Sequence, residues 1–203
     1  MRSFWSGILL VVASLCFGAA AMAGVLKGFD RSVFDALVMS RAYSPDAAIA
    51  VTQFITRIGD PGWRAGIMLL ILFLLIYRRC WRSATVFVVT VGVSITGHSI
   101  VKEAFARARP ALATRLDSVD TYSYPSGHAA GAAVILLLGT LLLGTRKAIS
   151  AGVLLTLAIG LSRIALGVHW PSDVVGGWMF GGGTALIGYA IARRVGRGKE
   201  GKI

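Results

Sequence analysis

From Ser83 to Pro110 the chain reads SATVFVVTVGVSITGHSIVKEAFARARP. The first 19 residues, Ser83–Val101, carry no charged side chain, and the nine that follow hold Lys102, Glu103, Arg107 and Arg109. A helix needs about 20 predominantly apolar residues to cross the hydrocarbon core of a bilayer. The run lacks the strict alternation of a membrane strand, so it reads as a spanning helix that ends abruptly in a polar cluster.

Five more apolar runs flank it: Gly7–Leu26, Ala65–Tyr77, Ser126–Leu143, Ala148–Val168 and Ser172–Ala192. Most are 18 to 21 residues long. The run at Ala65–Tyr77 is short, and Trp63 and Arg64 extend it if the arginine snorkels to the interface. The expectation is an all-α polytopic bundle of six transmembrane helices, one domain over residues 1–203. Arg2 ahead of the first run and Ala21-Met22-Ala23 near its end also fit a secretory signal, but the run is long for that and an uncleaved span is favoured.

Composition agrees. The 203 residues are 56% hydrophobic and only 15% charged, with a mean hydropathy of +0.73. No single small core hides that much apolar surface. The net charge of +12 falls between apolar runs, not on one face of a soluble module, which argues against nucleic-acid binding. Cys16 and Cys80 read as unpaired thiols, with no zinc-ligand spacing around them.

With the N-terminus inside, 11 of the 21 basic residues fall in short inner segments, including Arg193, Arg194, Arg197, Lys199 and Lys202 of the tail. The other ten are spread over longer outer loops, so the positive-inside rule predicts cytoplasmic termini. The first outer loop, Lys27–Arg64, holds two amphipathic segments. One carries Phe29, Val33, Phe34, Leu37 and Val38. The other follows Ser44-Pro45 and carries Ile49, Phe54, Ile55 and Ile58. They are expected either to lie at the membrane interface or to brace the bundle. The glycine pairs Gly127–Gly131 and Gly177–Gly181 are expected at close helix contacts.

Three polar clusters fall at the outer ends of spans: KEAFARARP (Lys102–Pro110), PSGH (Pro125–His128) and SRIALGVHWPSD (Ser162–Asp173). Polar groups are costly near hydrocarbon, so a convergent set of them marks a site. The residue types suit phosphate. Arg109 and Arg163 offer planar forks and Lys102 a point charge. Ser126 and Gly127 open a helix whose free N–H groups attract an anion. His128 and His169 are able to share nucleophilic and proton-transfer work, and Asp173 is positioned to hold an imidazole. Pro171 starts the last helix, which leaves His169 and Trp170 in the turn before it.

The three clusters together resemble the type 2 phosphatidic acid phosphatase superfamily, whose pattern is KxxxxxxRP, PSGH and SRxxxxxHxxxD. The match is Lys102…Arg109-Pro110, Pro125-Ser126-Gly127-His128 and Ser162-Arg163…His169…Asp173. The resemblance implies His169 as nucleophile, Asp173 as its orienting carboxylate and His128 as general acid. It implies Lys102, Arg109, Ser126, Gly127 and Arg163 as phosphate ligands, with no metal and no cofactor. Arg107 is given a lesser role, Ser162 packing of its helix end, His98 a structural role, and Tyr122 and Tyr124 interface anchoring. The implied protein is a lipid phosphatase of a bacterial inner membrane with its site on the outer face, acting on a membrane lipid phosphate. Undecaprenyl diphosphate and phosphatidylglycerophosphate are the favoured substrates. A lipid phosphotransferase shares the first half-reaction, and a non-enzymatic lipid or phosphate transporter is the alternative from another class.

Overall fold

A computed structural model describes residues 1–196. The basic tail residues Arg197, Lys199 and Lys202 lie outside the described residues. The described chain is helical: α1 (Arg2–Met22), α2 (Lys27–Leu37), α3 (Asp46–Ile58), α4 (Pro61–Tyr77), α5 (Trp81–Phe105), α6 (Gly127–Leu143), α7 (Arg146–Ala165) and α8 (Pro171–Gly196). A single 3₁₀ turn, Leu112–Thr114, interrupts the loop between α5 and α6. Short breakers set the boundaries. Gly24 and Gly144, both at positive φ, end α1 and α6, as glycine does without steric penalty. Pro61 and Pro171 occupy first helical turns, where a missing N–H costs nothing.

The six apolar runs become six helices, but not six equal ones. Four are long and apolar enough to cross a membrane: α1, α5, α7 and α8. Helix α4 has 17 residues and meets that test only together with α3, from which it is bent by 53°. The cause is local, because Gly59-Asp60 ends one helix and Pro61 starts the next. Helix α6 also has 17 residues, and its N-cap, Ser126, is fully buried inside the bundle. It contains one wide π-helical turn at Ala133–Leu137.

Helices α6 and α8 form the centre. Ala129, Ala132, Ala133, Val134 and Leu138 are buried along α6. A Cβ on Gly181 would lie 2.2 Å from the Ala130 carbonyl oxygen, and one on Gly177 would lie 2.7 Å from that of Ser126. The Gly177–Gly181 pair is therefore at a close helix contact, as expected. Gly127 and Gly131 face side chains instead, those of His98 and Arg64. Helix α1 lies on the other face of α8, where Gly7 and Gly183 approach each other's backbone. The outer surface exposes Leu9, Leu69, Phe73, Val89, Val93 and Leu154, a continuous apolar exterior that suits lipid and not water.

The amphipathic helices of the first long loop turn only part of their apolar faces inward, leaving Phe29, Leu37 and Phe54 exposed. Phe34 of α2 and Ile49 of α3 are buried, and both helices sit at the end of the bundle that carries the three polar clusters. Tyr124 departs from the anchoring expectation. It is fully buried, donates to the Ser14 carbonyl at 2.5 Å, and fills the space left by Gly18 and Gly176.

Candidate active site

The three clusters meet in one cavity of about 600 Å³ between α4, α5, α6 and α7. Lys102, Arg109, Gly127, His128, Arg163 and His169 all line it. Topology explains the meeting: the C-terminal ends of α5 and α7 and the N-terminal ends of α4, α6 and α8 share one end of an alternating bundle.

His169 stands in the turn between α7 and α8 and is 1% exposed. Arg109 donates from Nη1 to the Val168 carbonyl (2.7 Å) and approaches His169 Nε2 at 3.0 Å. A guanidinium only donates, so Nε2 carries the lone pair and Nδ1 the proton. Burial lowers the His169 pKa well below 6.5, and the positive charges of Arg109, Arg163 and Lys102 add to this. The ring is thus a neutral imidazole with its lone-pair nitrogen turned towards Arg109.

Asp173 lies in the first turn of α8, fully buried. Its Oδ2 is 3.5 Å from His169 Nδ1, and Nδ1 has no hydrogen-bond partner among the described residues. The expected orienting bond is therefore approached but not made. The carboxylate is already occupied. Oδ2 accepts from Ser123 Oγ (2.5 Å) and the Trp170 N–H (2.8 Å), and Oδ1 accepts from Arg107. Arg107 also donates to Asp30 Oδ2 at 2.7 Å, and Asp30 takes the Ser172 N–H and hydroxyl at 2.8 Å each. Burial alone would lower the Arg107 pKa, but Asp173 and Asp30 outweigh it and raise it. Arg107 is a half-buried link between α2, the α5–α6 loop and α8, a larger part than the sequence assigned to it.

His128 opens the first turn of α6 behind Ser126 and Gly127. Its Nε2 lies 2.9 Å from Asp60 Oδ1. An ionised carboxylate only accepts, so Nε2 bears a proton. Gly59 leaves room for this ring, because a Cβ there would lie 2.6 Å from His128 Cδ2. The Ser126 backbone N–H donates to the Asp173 carbonyl at 2.9 Å. Ser126 Oγ and Arg163 Nε are buried without hydrogen-bond partners among the described residues. Buried donors of this kind are costly unless a ligand or water satisfies them.

The remaining cations are held by backbone and loop groups. Lys102 Nζ donates to the Tyr122 carbonyl at 2.7 Å. Arg109 donates to Thr121 and Tyr122 as well as Val168. Burial and the nearby Arg163 lower the Arg109 pKa to about 10, which leaves it charged at neutral pH. Arg163, 1% exposed, donates to Thr56 Oγ1 of α3 (2.8 Å) and Asp117 Oδ2 (2.6 Å). The two amphipathic helices therefore brace the site, Asp30 from α2 and Thr56 from α3.

Sequence reasoning missed Asp60, Asp117, Asp30 and Arg64. Arg64 does not snorkel outward. It turns into the cavity and donates to the Gly127 carbonyl at 2.9 Å. His98 also lines the cavity and sits 3.3 Å from the Pro125 carbonyl. Ser162 donates to Ile159 O within its own helix, as its packing role required. A signal for Asp30 was present: an acidic residue one turn before Phe34, on the apolar face of α2.

Comparison with known proteins gives four findings. Residues 83–197, more than half of the chain, match the family model described as PAP2 superfamily. The chain is 32% identical over 126 residues to an undecaprenyl-diphosphatase of Sulfolobus acidocaldarius, covering 58% of this chain and 59% of that protein. That match spans less than two thirds of the relative. The chain is 28% identical over 185 residues to phosphatidylglycerophosphatase B of Bacillus subtilis, covering 86% and 88% of the two. The crystal structure of a transmembrane PAP2-type phosphatidylglycerolphosphate phosphatase from Bacillus subtilis superposes with a TM-score of 0.81 at 21% identity, over 98% of this chain and 100% of that one.

Proposed function

The chain belongs to the PAP2 superfamily and is an integral membrane protein, and from this premise we propose that it is a lipid phosphatase working through a phosphohistidine. One observation carries the reading. His169, His128, Lys102, Arg109 and Arg163 line a single cavity whose wall also includes the apolar Met68, Ile95, Val134 and Ile135, and Ile95 is exposed on the outer surface. A phosphate headgroup meets fixed positive charge while its chains remain against apolar walls.

In this mechanism His169 Nε2 attacks phosphorus and the bond to the leaving oxygen breaks. His128, entering the step as the imidazolium paired with Asp60, gives a proton to that oxygen and is left neutral. It then takes a proton from water, whose oxygen attacks phosphorus and breaks the P–N bond. Phosphate leaves and both histidines return to their starting states. Lys102, Arg109, Arg163, Ser126 Oγ and the Gly127 N–H hold the non-bridging oxygens. Arg109 exchanges its contact with His169 for the phosphate as substrate enters, and Asp173 closes on Nδ1 as positive charge develops on the ring. The chemistry needs no metal or cofactor.

The molecule is read as one membrane domain with six crossings, α4 and α6 being at the lower limit of about 17 residues. The termini face the cytoplasm and the site faces outward, in a bacterial inner membrane. The favoured substrates are undecaprenyl diphosphate and phosphatidylglycerophosphate, in line with the names of the two relatives. The test is phosphate release from a panel of lipid phosphates by detergent-purified protein in EDTA. Release unaffected by the chelator supports the reading. No release from any lipid refutes the hydrolase and leaves the phosphotransferase, which an added acceptor lipid would reveal.

A further inference from the structure

Arg64 lies outside the three motifs, yet its guanidinium is built into the cavity. Nη1 donates to the Gly127 carbonyl at 2.9 Å, which is the oxygen of the Gly127–His128 peptide bond. Nε is buried and has no partner among the described residues. Gly131, one turn further along α6, provides the space: a Cβ there would lie 1.7 Å from Arg64 Nη1. The cavity wall thus holds four basic side chains, Arg64, Lys102, Arg109 and Arg163, against one carboxylate, Glu103. Three of them account for a transferred phosphoryl group beside His169. The fourth is fastened next to His128, the group to which the proposed mechanism gives protonation of the leaving oxygen, with Ala65 and Met68 continuing the wall on the same helix.

We infer that Arg64 binds a second phosphate group carried by the substrate on its leaving-group side. The inference rests on the phosphatase reading and sharpens it towards lipids with two phosphates. In a lipid diphosphate the leaving oxygen itself belongs to that second phosphate. In a glycerophosphate diester lipid the second phosphate stands one glycerol away. A charge on the departing group is stabilised by a fixed guanidinium as the bond breaks, which makes Arg64 a determinant of substrate class.

The experiment compares wild type, Arg64→Ala and Gly131→Ala on a prenyl diphosphate, phosphatidylglycerophosphate and phosphatidate. Arg64→Ala is expected to lower kcat/KM at least about tenfold more on the lipid with two phosphates than on phosphatidate. Gly131→Ala, which expels the guanidinium, should reproduce that bias. Selective loss on the prenyl diphosphate or on phosphatidylglycerophosphate identifies the source of the second phosphate. Equal losses on all three lipids, or none, overturn the inference. A second arm titrates inorganic pyrophosphate and orthophosphate into the same proteins calorimetrically. Wild type should favour pyrophosphate, and Arg64→Ala should narrow the preference about tenfold; an unchanged preference overturns the inference. This arm reads Arg64 even if the wild type hydrolyses no lipid, so failure of the phosphatase reading stays separate.

Discussion

Arg107 occupies the position at which the largest electrostatic loss is expected. It is the shared partner of Asp173, fully buried, and Asp30, 3% exposed. Breaking a buried ion pair by removing one member costs about 3–5 kcal/mol, because the other charges stay behind unpaired. Arg107→Ala should therefore lower the thermal unfolding midpoint sharply in detergent, and Arg107→Lys should restore only part of it, since one ammonium does not reproduce a two-pronged contact. An unchanged midpoint would show that the link carries no stability. His169 gives a pH prediction. Its folded pKa is depressed below 6.5, so the folded ring stays neutral while the unfolded one titrates normally. Its contribution is intact above about pH 6.5 and is lost as pH falls below that value, where the unfolded chain binds a proton the folded chain refuses. His169→Asn should flatten the fall in unfolding midpoint between pH 7.5 and 5. A parallel fall in both proteins would contradict a buried neutral imidazole.

At the scale of elements, the contact of α6 with α8 sets where Ser126 and His128 stand relative to Asp173. Gly181→Ala places a methyl group 2.2 Å from the Ala130 carbonyl oxygen, backbone that has no rotamer to yield. Overpacking of this kind costs about 1–3 kcal/mol. The substitution should lower both the unfolding midpoint and phosphate release, whereas Gly182→Ala, with no atom closer than 3.9 Å, should change neither. The elements were legible in the sequence where the signal is local. Apolar length and turn residues located the six helices, and proline placed His169 in a turn. The break at Gly59-Asp60-Pro61 left α4 short, and α6 is short with its N-cap, Ser126, buried. Both reflect tertiary placement that hydropathy does not encode. The motif residues were legible because spacing and order identify them. Arg64, Asp60 and Asp117 were not, because each reaches the site through one side chain from outside the motifs, and Asp30 left only the mark of a carboxylate on the apolar face of α2. Gly131 likewise looked like a helix-packing glycine until its neighbour proved to be a guanidinium.

For the whole molecule, the charge asymmetry predicts sidedness. Cys80, exposed in the α4–α5 turn, lies at the end opposite the site, whereas Ser118 is exposed in the loop beside it. In intact cells a membrane-impermeant maleimide should label Ser118→Cys in a Cys80→Ser background and leave Cys80 unlabelled in the wild type. The reverse pattern would invert the topology and put the cavity on the cytoplasmic side. The exterior is apolar and the cations face inward, the division expected of a protein with lipid outside and, on the proposed reading, phosphate within. The proposed mechanism depends on a covalent bond from phosphorus to His169. Rapid quenching of the wild type with a lipid substrate labelled in its transferable phosphate, followed by peptide mapping, reads that bond. The label should appear on His169, labile to acid, and be absent from His169→Ala. Label on His128, or phosphate release by His169→Ala at the wild-type rate, would contradict the mechanism.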